Sequence, residues 1–86
     1  MERTTRTLDT LPPGSSATVR SVRCARPIAR RLMEMGLLPG TRVTVIRVAP
    51  MGDPMQLRIR DYALSIRKAD AAGVEVEAES ALEAAE

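Results

Sequence analysis

The sequence predicts one small all-β domain: a barrel of about five antiparallel strands, with one short α-helix between the first and second strands. Short β-forming segments recur along the 86 residues, clusters of proline and glycine separate them, and only one segment has a clear helical period. A chain of this length buries only about 60% of its unfolded surface, so it contains one modest core.

The predicted domain occupies residues 8–77. Residues 1–7 have no apolar pattern and are expected to form a flexible N-terminus. Residues 78–86, AESALEAAE, are helix-prone but acidic and almost without large apolar side chains. They are therefore expected to form a disordered tail.

The first segment of the domain combines an apolar turn with the first strand. Leu8 and Leu11 precede a Pro-Pro-Gly loop, which predicts a single turn packed on the barrel. Ala17, Val19 and Val22 belong to a β-forming stretch, but the step from Val19 to Val22 breaks strict alternation. A bulge in this strand is expected.

The helix is predicted from Pro27 to Gly36. Proline is tolerated in the first helical turn, and glycine readily takes the left-handed conformation that ends a helix. Ile28, Leu32 and Met35 then fall on one apolar face, while the arginines and Glu34 face water. After the helix, Pro39-Gly40 matches the central positions of a type II turn.

Two hairpins and a closing strand follow. The segment 41–49 is β-forming with a change of parity, which predicts a curved strand, and turn formers fill 50–54. Alternating strands follow at 56–60 and 62–67, joined by a tight turn at Asp61. A helical turn ending at Gly73 then leads into a last short strand that closes the barrel.

Several classes of function lack the residues they need. The chain has no histidine, so its serines have no imidazole partner, and its single cysteine, Cys24, cannot form an intramolecular disulfide. Metal sites favour histidine or paired cysteines, and no phosphate-binding glycine motif is present. We expect no enzymatic activity, no cofactor and no metal site within the monomer.

The charge distribution is uneven. Arginines dominate as far as Lys68 and glutamates dominate the tail, although the net charge is only +2. Tyr62 is the only aromatic residue, which disfavours single-stranded nucleic-acid platforms and grooves for proline-rich peptides. Its ring is expected to pack inside the barrel with the hydroxyl at the rim.

One run of residues resembles a known family. The stretch from Arg31 to Thr41, RLMEMGLLPGT, is similar to the R-L-x-x-M-G-L-x-P-G-T signature of FeoA domains. The similarity continues through VAPMGDP, which resembles the family's A-P-L-G-D-P hairpin loop, and through YALSIRK. It covers nearly the whole chain from Leu8 to Glu77.

This resemblance implies an SH3-like barrel and a soluble accessory protein of ferrous-iron uptake. The implied partner is the transporter FeoB, a membrane protein with a cytosolic GTP-binding domain, which the accessory protein would bind and modulate. The sequence departs from the family at Asp61, where glycine is common, and aspartate would have to accept a positive φ there. The segment Cys24–Pro27 also differs from the polar or glycine-rich loop usual in the family.

Partner contact is assigned to the helix end and the nearby loops, because large apolar residues lie beside turns there. Each of these large apolar residues can alternatively be part of the hydrophobic core. The candidate partner-binding residues are Arg31, Met35, Leu37, Leu38, Met51 and Asp53.

Two other interpretations stay open. Small β-barrels rich in arginine also bind nucleic acid, and similar barrels form the C-terminal domain of metal-dependent repressors. The expected location is the cytoplasm, because no secretory signal or membrane-spanning segment is recognisable, with recruitment to the inner membrane face only through the transporter. Exposed edge strands are also compatible with a homo-oligomer.

Overall fold

The structure is a computed structural model and describes residues 4–78. It is all-β, with six antiparallel strands in one sheet ordered β1-β6-β2-β3-β4-β5 and two short helices. The strands are β1 (Thr4–Thr7), β2 (Ser16–Val22), β3 (Arg42–Val48), β4 (Met55–Ile59), β5 (Tyr62–Ile66) and β6 (Val74–Ala78). The helices are α1 (Arg26–Glu34), between β2 and β3, and α2 (Lys68–Ala71).

Strand β1 is the main departure from the sequence prediction. Residues 4–7 were expected to be flexible, but they pair with β6 from Thr4↔Ala78 to Thr7↔Glu75. Local residue preferences did not reveal this strand, because it is stabilised by a partner some 70 residues away. Ala78 also belongs to β6 and not to the tail. The rest of the predicted tail, residues 79–86, lies outside the described residues.

The predicted apolar turn and the predicted bulge are both confirmed. Residues Leu8–Thr10 form a 3₁₀ turn, and the side chains of Leu8 and Leu11 are buried. The register between β2 and β6 shifts between Val19 and Ser21. This bulge lets Val19 remain in the core although the alternation of the strand is broken.

Helix α1 ends as the sequence predicts. Gly36 has φ +111°, and its N–H donates to the Met33 carbonyl. The Leu37 N–H donates to the Leu32 carbonyl at 3.0 Å, which completes a Schellman ending. The apolar side chains of Leu32 and Leu37 thus enter the same core.

The two hairpins are confirmed, with one correction. Strands β3 and β4 pair with a register shift between Val45 and Arg47, which accounts for the change of parity in the sequence. Strands β4 and β5 are joined by the two-residue turn Arg60-Asp61. The positive φ of this turn belongs to Arg60, at +57°, and not to Asp61 as expected.

A single core lies inside the curved sheet. It is formed by alternate residues of the strands together with Leu8, Leu32 and Leu37. Strands β1 and β5 are the two edges of the sheet. Within residues 4–78, no helix has the length and apolar character that a membrane span requires.

Candidate partner-binding site

The end of α1 and the start of β5 are in direct contact. The Tyr62 hydroxyl donates a hydrogen bond to the Met35 carbonyl. Gly36 lies under the same hydroxyl, and a Cβ at this position would overlap it. The Tyr62 ring is 42% exposed, so the expectation that it packs inside the barrel is wrong. Because β5 is an edge strand, the ring covers the helix end from outside.

Two consecutive leucines after α1 have opposite environments. Leu37 is completely buried, whereas Leu38 is 47% exposed and begins the turn closed by the Thr41 N–H to the Leu38 carbonyl. The Schellman ending directs Leu37 inward, and the following turn holds Leu38 outside. Leu37 presents no surface for a partner in this fold, so its assignment to partner contact is corrected to a core role.

The remaining residues at this end of the barrel form one surface. Arg31 lies on the last turn of α1 and Met35 is the residue that caps the helix, four positions later, so their side chains lie on the same side of the helix end. Arg31 is exposed and Met35 is half-buried. We name the patch of Arg31, Met35, Leu38 and Tyr62 the helix-end surface. It combines a half-exposed apolar area with one cation.

The other two candidates lie in the loop between β3 and β4, at residues 49–54. Met51 is 92% exposed, which is the largest exposure among the large apolar side chains of residues 4–78. The Asp53 carboxylate accepts a hydrogen bond from the Lys68 N–H at 2.8 Å, at the start of α2. Asp53 therefore has a structural role as a cap supplied from a distant loop.

The structure separates the candidates into two groups. The 49–54 loop follows the end of β3 that pairs Val48 with Met55, whereas Tyr62 lies at the far end of β4, opposite Ile59. Four residue steps along β4 correspond to about 14 Å. One small contact cannot easily include both the helix-end surface and Met51, so they are distinct candidate surfaces.

Sequence reasoning did not identify Tyr62 as part of the site. Its position in an alternating strand indicated an inward side chain, as holds for Ile66 on the same strand. The partner of its hydroxyl lies 27 residues earlier and is a backbone carbonyl. No local signal in the sequence indicates such a contact.

The environment of Cys24 does not favour a reactive thiol. Burial raises the pKa of the Cys24 thiol, and the nearby carboxylate of Asp70 raises it further. The thiol donates to the Asp70 carbonyl at 3.4 Å. A thiolate is the nucleophilic form, so this environment works against nucleophilic chemistry at neutral pH. Within residues 4–78, no cluster of three or more potential metal-ligating His, Cys, Asp or Glu side chains is present.

Comparison with protein families shows that most of the chain, residues 6–78, matches the FeoA domain. A protein of Porphyromonas gingivalis, named as a fusion of Fe(2+) transport protein A and the Fe(2+) transporter FeoB, is 40% identical over 70 residues. The matched region covers 81% of this chain but only 8% of the fusion protein. This chain therefore corresponds to a small part of that relative.

Solved structures show the same fold. A FeoA-like protein from Clostridium acetobutylicum has a TM-score of 0.82 and 34% identity, covering 93% of this chain and 92% of its own. FeoA of Stenotrophomonas maltophilia, solved with zinc and described as an SH3 domain protein, has a TM-score of 0.72 and 35% identity, covering 81% and 87%. A manganese-dependent transcriptional repressor has a TM-score of 0.80 at 15% identity, covering 91% of this chain and 44% of its own, which shows likeness of fold alone.

Proposed function

The chain belongs to the FeoA family, and from this premise we propose that it is an accessory protein of ferrous-iron uptake that binds and modulates the FeoB transporter. The observation that carries the proposal is the fused relative, in which an FeoA region and FeoB share one polypeptide. Fusion keeps two regions at a high effective concentration, which is useful when they act together. In the absence of fusion, the same association would depend on the surface of the FeoA region.

The helix-end surface is the part of the barrel best suited to this contact. Leu38 and Tyr62 are each nearly half exposed and lie beside the end of α1. Tyrosine and arginine are enriched where interfaces derive most of their binding energy, and methionine adapts to irregular surfaces. The Tyr62 hydrogen bond holds the ring in place before binding, which lowers the entropy cost of ordering it.

The proposed mechanism is positional and involves no catalysis by this chain. The accessory protein would contact the cytosolic GTP-binding domain of the transporter and alter its rate of GTP hydrolysis or its gating. The corresponding location is the cytoplasm, with recruitment to the inner face of the membrane through the transporter. Homo-oligomer formation is not required by this mechanism.

Binding should be measured by calorimetry, by titrating this protein into the purified cytosolic domain of FeoB and into the full-length transporter in detergent. Leu38→Asp places a charge at the helix-end surface, and Met51→Asp makes the same change at the other end of the barrel. We expect saturable binding that Leu38→Asp weakens by about tenfold or more and that Met51→Asp leaves nearly unchanged.

Comparison of Leu38→Asp with Met51→Asp distinguishes the two candidate surfaces. A loss confined to Met51→Asp would move the contact to the 49–54 loop and reject the helix-end surface. Absence of binding to both forms of the transporter, by a sample shown to be folded, would overturn the accessory role. The regulatory alternative would then gain weight, although at present it is supported by fold likeness alone.

A further inference from the structure

A groove on the outer face of the sheet is lined mainly by cationic and hydroxyl side chains. It lies where β3 begins and β4 ends, beside the turn that contains Gly40, and its volume is about 340 Å³. The lining residues are Gly40, Thr41, Arg42, Thr44, Arg58 and Arg60. The groove does not include any residue of the helix-end surface.

Strand alternation brings the arginines to this face. On β4, Leu57 and Ile59 are buried, so Arg58 between them points outward. The register pairs Thr44 with Arg58 and Val43 with Ile59. One residue beyond the Val43–Ile59 pair, Arg42 on β3 lies beside Arg60 in the turn that follows β4.

Positive charge in the groove is poorly neutralised by the protein itself. Among residues 4–78, no carboxylate forms an ion pair with Arg58 or Arg60, whereas Arg20 is paired with Glu77 at 3.2 Å on β2 and β6. Arg42 is engaged in another interaction, so the inference rests on Arg58 and Arg60.

We propose that this groove binds a phosphate group, carried by a small phosphate monoester or by a lipid headgroup. Guanidinium groups bind phosphate through paired hydrogen bonds, and two of them match the charge of a monoester dianion. Thr41 also lines the groove, and its hydroxyl can serve as a further donor.

Nucleic acid fits the same observations less well. Single strands are bound largely by stacking of bases on aromatic rings, and the only aromatic side chain of this chain, Tyr62, is not in the groove. Duplex binding uses a long row of cations that tracks the backbone. The groove instead gathers its arginines at one point, which suits a single phosphate.

The test is calorimetry of the full chain in a phosphate-free buffer of low ionic strength, with inorganic phosphate and glycerol 3-phosphate as probes. We expect saturable binding that Arg58→Gln and Arg60→Gln each weaken by about tenfold. Arg30→Gln is the matched control, because it removes the same charge from an exposed position on α1 outside the groove. The affinity of the Arg30→Gln variant for both phosphate probes should equal that of the unmodified protein.

Further probes distinguish a lipid headgroup from a soluble phosphate, and a single phosphate from nucleic acid. Stronger binding to vesicles containing phosphatidic acid, whose headgroup is a phosphate monoester, than to glycerol 3-phosphate, lost in Arg58→Gln, would assign the site to lipid headgroups. Equal weakening by Arg30→Gln would reduce the effect to general charge attraction and overturn the site. Binding to a duplex DNA without measurable binding of either small phosphate would also overturn it, in favour of nucleic acid.

A folding control keeps the test decisive. Thermal unfolding of each variant should show a transition close to that of the unmodified protein, because Arg58 and Arg60 are exposed and form no ion pair within residues 4–78. If a glutamine variant is unfolded, Arg58→Lys and Arg60→Lys replace it. These keep the charge but lose the paired donors, so they should still weaken phosphate binding. Full affinity in both would contradict the proposed geometry. Phosphate binding in this groove does not require the proposed contact with FeoB.

Discussion

The Tyr62 hydroxyl donates a hydrogen bond to the backbone carbonyl of Met35 and so ties the start of β5 to the end of α1. The two residues are 27 positions apart, and the helix would otherwise contact the sheet mainly through its own apolar face. The bond satisfies one of the carbonyl groups that every helix leaves unpaired at its C-terminus. The position of α1 relative to the β4–β5 hairpin therefore depends on a side chain from an edge strand.

Gly36→Ala should destabilise the fold more than Gly40→Ala. Both glycines have positive φ, at +111° and +92°, so both alanines introduce backbone strain of about 1–3 kcal/mol. Only at Gly36 does the new methyl group also overlap the Tyr62 hydroxyl, since Gly40 has open space around it. We expect an additional loss of about 1–3 kcal/mol from this overlap, measured by urea denaturation.

Tyr62→Phe tests whether overlap with the Tyr62 hydroxyl causes the additional loss of stability expected for Gly36→Ala. Alone, it should lower the free energy of unfolding by about 0.5–1.5 kcal/mol through loss of the hydrogen bond to Met35. Combined with Gly36→Ala, it should cost less than the sum of the single changes, because the hydroxyl in the way has been removed. Additive effects in this double-mutant cycle would show that the two residues are not coupled.

Leu37→Ala and Leu38→Ala should differ sharply although they are adjacent. Leu37 is fully buried, so its truncation leaves a cavity and should cost about 2–5 kcal/mol. Leu38 is 47% exposed, and its truncation should change the free energy of unfolding by no more than about 0.5 kcal/mol. Chemical denaturation gives both values. Similar losses in the two variants would contradict the orientation described for the helix ending.

Asp53→Ala should destabilise the fold by about 1 kcal/mol, because the Lys68 N–H at the start of α2 loses its acceptor. Asp53→Asn keeps a side-chain oxygen at this position and should cost clearly less. The comparison is made by thermal unfolding at equal protein concentration. An equal loss with asparagine and with alanine would show that the charge of Asp53, and not its hydrogen bond, stabilises the fold.

Alkylation of Cys24 by iodoacetamide should require a higher pH than alkylation of the unfolded chain in urea. Burial and Asp70 raise the thiol pKa, so less thiolate is present in the folded protein at a given pH. The midpoint of the pH–rate profile is the relevant observable, since steric shielding alone would slow the reaction without moving it. An unchanged or lower midpoint in the folded protein would contradict this prediction.

The same shift has a consequence for stability. The folded state holds the Cys24 proton more tightly than the unfolded state does, because the folded-state pKa is the higher of the two. The stabilisation is therefore complete below the pKa of the unfolded thiol and decreases as pH rises from that value through the folded-state pKa. Cys24→Ser should reduce this alkaline loss of stability.

Much of the fold could be predicted because its signals are local. Gly36 and Pro39-Gly40 mark the end of α1 and the following turn through backbone preferences of single residues, and both have the expected conformation. The bulge in β2 and the parity change in β3 are visible as breaks in alternation. Strand β1 could not be predicted in this way, since its four residues become a strand only by pairing with β6.

The candidate site was predictable only in part. The apolar residues beside the turns at Leu37, Leu38 and Met51 are recognisable from their type, but residue type does not distinguish an inward side chain from an outward one. The Schellman ending and the strand register decide this, burying Leu37 and exposing Leu38 and Met51. The same register decides which of the two ends of the barrel each candidate belongs to.

The fold class, the position of the helix, the hairpins and the family could all be predicted from the sequence, because each depends on patterns within a few residues or on a contiguous motif. Only the folded structure shows that Tyr62 covers the helix end, that Asp53 caps α2 and that Arg58 and Arg60 share a groove. These contacts join residues that are distant in the chain or depend on strand register. They arise from the long-range pairing of the strands, which local conformational preference does not specify.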